Sequence, residues 1–148
     1  MAWIVVAIVL VLVVGYVIAL YNRLVRSRQM AEEGWSGIDV QLKRRADLVP
    51  NLVETVQGYA THERELLQRV TEARNQARAV PPDDVAARAQ AEGLLSGALG
   101  RLLAIVENYP DLKANQNFLN LQEQLATIEN EIQMARRYYN GAARELNV

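Results

Sequence analysis

The sequence predicts an all-α protein in which an N-terminal transmembrane helix continues into a long antiparallel four-helix bundle. Three observations support this fold class. The chain of 148 residues is 51% apolar but only 6% aromatic, a composition more typical of helices than of sheets. Its first residues form one uninterrupted apolar run. Its other apolar residues recur every three or four positions between proline breaks, which is the spacing of amphipathic helices that pack together.

The apolar run extends from Ala2 to Leu20, nineteen residues without a charged side chain. As a helix it would be about 28 Å long, close to the hydrocarbon thickness of a bilayer. Trp3 lies near the start of the run and Tyr21 directly follows it, where aromatic side chains prefer the membrane interface. A cleaved signal peptide is the main alternative, but the basic start, short apolar core and small-residue cleavage site of such peptides are missing.

Three arginines, Arg23, Arg26 and Arg28, follow the run directly, whereas no lysine or arginine precedes it. By the positive-inside rule, this asymmetry predicts a single-pass protein of the cell membrane with its N-terminus outside and its bundle in the cytoplasm. We expect the three side chains to contact lipid head groups, at about 1 kcal/mol each near an anionic surface. Residues 1–21 are therefore assigned to the anchor and residues 22–148 to the bundle.

Four helical stretches are expected beyond the anchor, separated by the prolines. The first continues from the span to about Asp47 and is followed by Pro50, which turns or kinks the chain; the second starts at Asn51 and runs to about Ala79. The third follows a cap at Asp83 or Asp84 and runs to about Tyr109, and the fourth begins at Phe118.

Each stretch carries an apolar stripe that we expect to face the core. The predicted stripes are Leu24, Ala31, Trp35, Ile38 and Leu42 in the first stretch; Leu52, Val56, Tyr59, Glu63, Leu66, Val70, Ala73 and Ala77 in the second; Leu95, Ala98, Leu102, Ile105 and Tyr109 in the third; and Phe118, Leu121, Leu125, Ile128, Ile132, Ala135, Tyr139, Ala142 and Leu146 in the fourth. Gly93, Gly97 and Gly100 are interpreted as positions of close helix–helix approach.

The sequence offers little for catalysis. It has no cysteine and one histidine, so thiol chemistry, cysteine-type zinc sites and dinuclear carboxylate–histidine centres are excluded. The 16 basic and 17 acidic residues nearly balance, whereas nucleic-acid-binding proteins are usually basic. We expect no enzyme activity, no catalytic residue, no cofactor, no metal and no nucleic-acid partner.

Some charged residues have two interpretations. An exposed His62 on a bundle is typical of a histidine phosphotransfer module, although a solvated helical histidine is the commoner case. Lys43, Arg44 and Arg45 form a basic cluster, which we interpret as a solvated helix face rather than an anion-binding patch. Glu63 is interpreted as a stripe-edge residue whose carboxylate reaches water, rather than a buried functional acid.

Several blocks of sequence resemble one family. They are Tyr21-Asn22-Arg23, the segment from Trp35 to Leu52 with Asp-Val-Gln-Leu-Lys-Arg-Arg at its centre, Asn51 to Val56, Tyr109 to Asn115, and Ala135 to Asn140. Together they resemble the LemA family of bacterial membrane proteins over nearly the whole chain. The resemblance implies an N-terminal anchor in the bacterial inner membrane, a soluble helical bundle and no established enzyme activity. One related branch is associated with magnetosome membrane formation, which implies a role in membrane organisation.

Family members usually continue beyond the Tyr-Asn block with an apolar, aromatic-rich segment, so we expect either a short member or a missing tail. The resulting hypothesis is a non-catalytic membrane-anchored scaffold that self-associates and organises membrane or recruits proteins. Its expected partners are membrane lipids, other copies of the chain and a membrane protein of unknown identity. An adaptor that regulates a membrane protease or an envelope-stress pathway is the alternative, and a phosphotransfer module is a weaker one.

Overall fold

The structure is a computed structural model that describes residues 1–146, with the side chains up to Glu145. The described residues form helices and no strand, which confirms the all-α class. The helices are α1 (Ala2–Gln57), α2 (Arg64–Ala79), α3 (Val85–Val106), α4 (Pro110–Lys113) and α5 (Gln116–Leu146). The predicted end of the bundle at Val148 lies outside the described residues.

The chain divides into two compact units. The terminal unit contains Met1–Gly37 and the end of α5 from Met134, and the core unit contains Ile38–Gln133. Helices α1 and α5 therefore contribute residues to both units. The division of the sequence into residues 1–21 and 22–148 stays a prediction.

The core unit has one apolar cluster to which all five helices contribute. Its fully buried side chains include Leu52 from α1, Val70 from α2, Leu102 from α3, Leu112 from α4 and Phe118 from α5. Polar contacts fix the helix directions within this unit. They join Arg74 to Ala46, Tyr109 to Glu63, Asn115 to Tyr59 and Glu129 to Arg45, so the four long helices run alternately up and down around the cluster.

The predicted helix break at Pro50 is wrong, because α1 continues through Pro50 to Gln57. A proline inside a helix has no N–H, so the carbonyl four residues earlier, Ala46, loses its usual donor. Arg74 from α2 replaces that donor: its Nε donates a 2.9 Å hydrogen bond to the Ala46 oxygen. The contact from another helix satisfies the carbonyl that the proline leaves without a partner.

The chain instead turns between α1 and α2, across residues 58–63. The second predicted stripe ran through this turn as one helix, and there it is wrong: Tyr59 is 42% exposed, whereas the neighbouring Ala60 is buried. Beyond the turn, the stripe positions of α2 are buried as predicted, together with Leu67, which the spacing did not include.

Helix α3 confirms one predicted feature and corrects another. The Asp84 carboxylate accepts a hydrogen bond from the Ala87 N–H and caps the helix, as predicted. The predicted close approach at the α3 glycines is wrong, because a Cβ at Gly93, Gly97 or Gly100 would meet nothing within 4 Å. These glycines lie on the exposed face of the helix.

Helix α5 begins at Gln116, two residues before the predicted start, and the one-turn helix α4 was not predicted. The Asn115 side chain accepts a hydrogen bond from the Phe118 N–H at 3.0 Å and so caps α5. The predicted stripe of α5 is confirmed up to Ala142: its members are buried or half-buried, including Phe118, Leu121, Leu125, Ile132 and Ala142.

In the terminal unit, α1 and the end of α5 approach each other closely at Gly34. A Cβ at Gly34 would lie 2.8 Å from Tyr138 Cδ1 and 3.1 Å from Tyr139 Cα, so a larger side chain would force the two helices apart. Trp35 packs against Tyr139 with ring centroids 5.8 Å apart and the rings inclined at 54°. This is where the chain uses glycine for close helix packing.

Candidate functional site

The first candidate site is the N-terminal part of α1, a helix long and apolar enough to cross a membrane. No residue of its apolar window is buried within the described protein. Trp3 and Tyr21 at its ends are 86% and 66% exposed. An apolar surface of this length, uncovered by protein, is expected of a segment whose solvent is lipid.

The exposed apolar surface continues one turn beyond Leu20, to Leu24 and Val25. The prediction that Leu24 belongs to the buried stripe is therefore wrong, since it is 53% exposed. Burial in the terminal unit begins at Ser27, the first buried residue of α1. The apolar surface thus ends where helix packing begins.

The three arginines predicted to contact lipid are exposed on this segment of α1. Arg28 also donates from Nε to Glu32 Oε1 at 3.2 Å, and both side chains are largely exposed. A pair of this kind contributes little and exchanges readily with other partners. The arginines therefore lie beside the apolar surface with their charged groups accessible, and their contact with lipid stays a prediction.

His62 lies on the turn between α1 and α2, where it is exposed as predicted, although not on a helix. It borders an open hollow of about 470 Å³ that Arg69 and Arg101 also line. Across residues 1–146, no group of histidine and acidic side chains is arranged to hold a metal ion.

Glu63 in the same region is half-buried and accepts a 3.2 Å hydrogen bond from the Tyr109 hydroxyl. Its carboxylate thus has a protein partner that the sequence did not predict, and its contact with water stays a prediction. Partial desolvation raises the pKa of Tyr109, and the hydrogen bond to Glu63 and the negative charge of Glu63 raise it further. Tyr109 therefore stays neutral at physiological pH and keeps donating.

The second candidate site is a network of buried charges in the core unit, centred on Arg45 of α1. Only 2% of the Arg45 side chain is exposed. Its guanidinium donates to Glu92 Oε2 at 2.6 Å, to Glu129 Oε1 at 2.7 Å, to Ser96 Oγ at 2.7 Å and to the Glu92 carbonyl at 3.1 Å. The interpretation of Arg45 as part of a solvated basic face is wrong, whereas Lys43 and Arg44 are exposed as expected.

A second arginine extends this network. Arg88 of α3 has its Nη2 2.9 Å from Asp39 Oδ1 and its Nε 3.5 Å from Glu92 Oε1. The other Asp39 oxygen lies 2.9 Å from Lys43 Nζ at the surface. Three basic side chains thus meet three acidic ones, and the network has no net charge. Its members come from α1, α3 and α5.

The sequence carried one signal for this network. Arg45 continues the buried stripe of α1 at the same alternating spacing, after Ile38 and Leu42 and before Val49 and Leu52. A basic residue at a core position requires a buried acid. Its partners lie 47 and 84 positions away in sequence, so spacing alone does not identify them.

Comparison with known proteins assigns the chain to a family. The LemA family model matches residues 34–148, more than three quarters of the sequence. The chain belongs to the LemA family. This confirms the resemblance found in the sequence blocks. The match begins at Gly34, so it includes the charge network, whereas the apolar helix precedes it.

Individual relatives of this LemA-family chain are distant. It is 27% identical over 126 residues to Protein LemA of Metamycoplasma hominis, covering 85% of this chain and 57% of that protein. It is 26% identical over 152 residues to Magnetosome protein MamQ of Magnetospirillum gryphiswaldense, covering 86% of this chain and 56% of that protein. Magnetosome protein MamQ 2 of Paramagnetospirillum magneticum is 24% identical with the same coverage. The chain thus spans a little over half the length of the curated relatives it matches, and none of these names denotes an enzyme.

Proposed function

We propose that this LemA-family chain is a non-catalytic, membrane-anchored scaffold that associates with itself and organises membrane or recruits proteins. The observation that carries the proposal is α1, one helix from Ala2 to Gln57 that is uncovered and apolar at its start and packed into a bundle at its end. A helix of this kind joins a lipid-embedded segment to a folded protein surface without an intervening linker.

The character of the two candidate sites supports this proposal. The buried charges of the core unit are engaged with each other, so they serve the fold rather than a reaction. The exposed His62 lies on a turn rather than on a helix of the bundle. Two of the relatives are named magnetosome proteins, which agrees with the role in membrane organisation that the family resemblance implies.

The proposed topology places the N-terminus outside the bacterial inner membrane and the bundle in the cytoplasm. The chain has no cysteine, so single cysteines report topology cleanly. Ala2→Cys reports the location of the N-terminus and Gln76→Cys that of the bundle, because both positions are exposed. In intact spheroplasts, a membrane-impermeant maleimide should label the first and spare the second until the membrane is opened. The reverse pattern would refute the orientation.

Membrane anchoring itself is tested by alkaline carbonate extraction of membranes that contain the full-length chain. The chain should remain in the membrane pellet, since a span of this length holds without help from surface charge. Release into the supernatant would refute the anchor, and with it the scaffold.

Self-association is tested by energy transfer between donor- and acceptor-labelled copies of the Gln76→Cys chain in vesicles at low protein density. Excess unlabelled chain is the control, since it should abolish transfer that arises from specific association. If transfer at low density does not exceed that of a monomeric single-span peptide, self-association is refuted. Crosslinking in cells should then recover one stoichiometric protein partner, which is the outcome that the adaptor hypothesis requires.

A further inference from the structure

The terminal unit fixes the register between α1 and the end of α5. Gly34 lies against Tyr138 and Tyr139, and Gly37 lies nearest to Ala135. Later residues of α1 thus contact earlier residues of α5, so the two helices are antiparallel. Residues at the same level have position numbers that add up to about 172, because both helices rise by about 1.5 Å per residue.

This register places the end of α5 beside the start of the packed part of α1. By the same sum, Arg144 of α5 is level with Arg28 of α1. Burial agrees with it, since Ala142 on α5 is buried and Met30 on α1, level with it by the same sum, is half-buried. The exposed apolar surface of α1 ends at Val25, three residues before Arg28. Arg144 therefore lies only about 5 Å along the axis beyond the end of the apolar surface.

We propose that Arg144 binds the phosphates of anionic lipid head groups, so that α5 adds a second basic element to the membrane surface already formed by Arg23, Arg26 and Arg28. The proposal rests on α1 being embedded in the membrane, as proposed above. The Arg144 side chain is exposed, on the side of α5 away from the buried Ala142. A guanidinium on a long apolar stem reaches toward phosphate oxygens and binds them through two parallel hydrogen bonds.

Acidic groups at the same level set the strength of this contact. Glu145 follows Arg144 and points about 100° away around the helix. On α1, Glu32 is engaged with Arg28, and Glu33 lies one residue further from the apolar surface. The shorter glutamate side chains keep their carboxylates near the helix, whereas the arginine extends past them. The proposed lipid contact therefore depends on the reach of the Arg144 side chain and not on a large positive net charge.

The chain contains a matched control for this proposal. Arg137 lies seven positions before Arg144 on α5, on nearly the same face and also exposed. It is about 10 Å further from the apolar surface, which exceeds the screening length of about 8 Å at physiological salt. The two arginines thus differ in height above the membrane and in little else.

The first test measures height. The full-length chain carries a single cysteine in place of Arg144 or Arg137, labelled with a small fluorophore and reconstituted into nanodiscs. Lipids spin-labelled at the head group should quench the probe at position 144 strongly and the probe at position 137 weakly. Equal quenching at the two positions would overturn the proposal.

The second test measures lipid preference in nanodiscs that hold the chain labelled at Gly141→Cys, an exposed position three residues before Arg144, with spin-labelled phosphatidylglycerol or phosphatidylcholine as the quencher. Arg144→Gln should lower the preference of its site for phosphatidylglycerol by up to about fivefold, as expected for one charge at an anionic surface. Arg144→Lys should retain only the part of the preference that depends on charge, and Arg137→Gln should retain all of it. An unchanged preference in Arg144→Gln, or an equal loss in Arg137→Gln, would overturn the proposal.

Carbonate extraction of each variant separates this proposal from the one on which it rests. A chain that resists extraction but shows equal quenching at the two positions retains its anchor and refutes only the role of Arg144. A chain that is extracted refutes the anchor.

Discussion

Replacing Arg45 by methionine tests whether the buried charge network holds the core unit together. The substitution keeps an unbranched side chain of similar length but removes the cation that Glu92, Glu129 and Ser96 share. The two carboxylates lose their closest partners while staying in place. A buried charge without a partner is much more costly than a missing hydrogen bond between neutral groups.

The size of the effect follows from the exposure of the two acids. The side chain of Glu92 is 10% exposed and that of Glu129 is 35% exposed, so Glu92 carries most of the penalty. Removing one partner of a buried ion pair costs about 3–5 kcal/mol. Glu92 keeps a weaker contact with Arg88 at 3.5 Å, which favours the lower end of this range. Glu129 can turn toward water and adds little. We therefore expect a loss of about 3 kcal/mol.

The assay is denaturant unfolding of the full-length chain in a mild detergent, followed by far-ultraviolet circular dichroism. Arg44→Met is the matched control, since this neighbour is exposed and its substitution should change the free energy of unfolding by less than about 0.5 kcal/mol. Adding Glu92→Leu to Arg45→Met should recover part of the loss, because it removes the unpaired carboxylate. A loss below about 1 kcal/mol for Arg45→Met, or no recovery in the double variant, would refute the reasoning.

Three further predictions concern stability and titration. Arg74→Met should lower the free energy of unfolding by about 1–2 kcal/mol, since it leaves the Ala46 carbonyl without a donor. The loss should be smaller in a Pro50→Ala background, where the alanine amide supplies that donor. An equal loss in both backgrounds contradicts the explanation. Gly34→Ala should lower the free energy of unfolding by about 1–3 kcal/mol, because its Cβ meets the facing helix. Gly97→Ala, whose Cβ lies in open space, should leave that free energy unchanged or raise it by up to about 1 kcal/mol in the same assay. Because the folded-state pKa of Tyr109 is raised, its stabilising contribution is complete below the unfolded-state pKa near 10 and disappears as pH rises through the folded-state value. Tyr109→Phe should therefore flatten this alkaline fall in stability, and an unchanged profile would contradict that role.

The features that the sequence predicted correctly depend on neighbours within a few residues. The apolar helix is defined by its own length and composition, and the buried stripe of α5 by a spacing sustained from Phe118 to Ala142. The cap at Asp84 involves the backbone N–H of Ala87, three residues away. Patterns of this range are visible in one sequence because the partners are adjacent in it.

The helix through Pro50 shows why other features escaped prediction. The expectation of a break followed correctly from the missing N–H of proline. What maintains the helix is a donor on α2, supplied by Arg74, 28 positions from the carbonyl that it satisfies. The spacing of residues in the sequence carries no information about a contact between α1 and α2, so the break was predicted at the proline rather than at residues 58–63.

The candidate sites divide in the same way. The exposed segment with Trp3, Tyr21 and the arginines was found from sequence because its partner is solvent or lipid rather than another part of the chain. Arg45 was misinterpreted because residue type was given more weight than position in the stripe. The α3 glycines were misinterpreted because only a facing helix decides whether a glycine allows close approach; the structure has such a helix at Gly34 and none at the α3 glycines.

The neutral network around Arg45 restricts how this protein can change over evolutionary time. Loss of Arg45, Arg88 or Glu92 leaves an opposite charge in the core without its partner, so substitutions of these buried residues are tolerated mainly in sets that preserve the balance or remove both charges of a pair. Such sets require simultaneous or closely spaced mutations on α1 and α3. Across homologous sequences, we therefore expect the Arg45, Arg88 and Glu92 positions to be either retained together or replaced together by apolar residues, whereas their exposed neighbours drift independently.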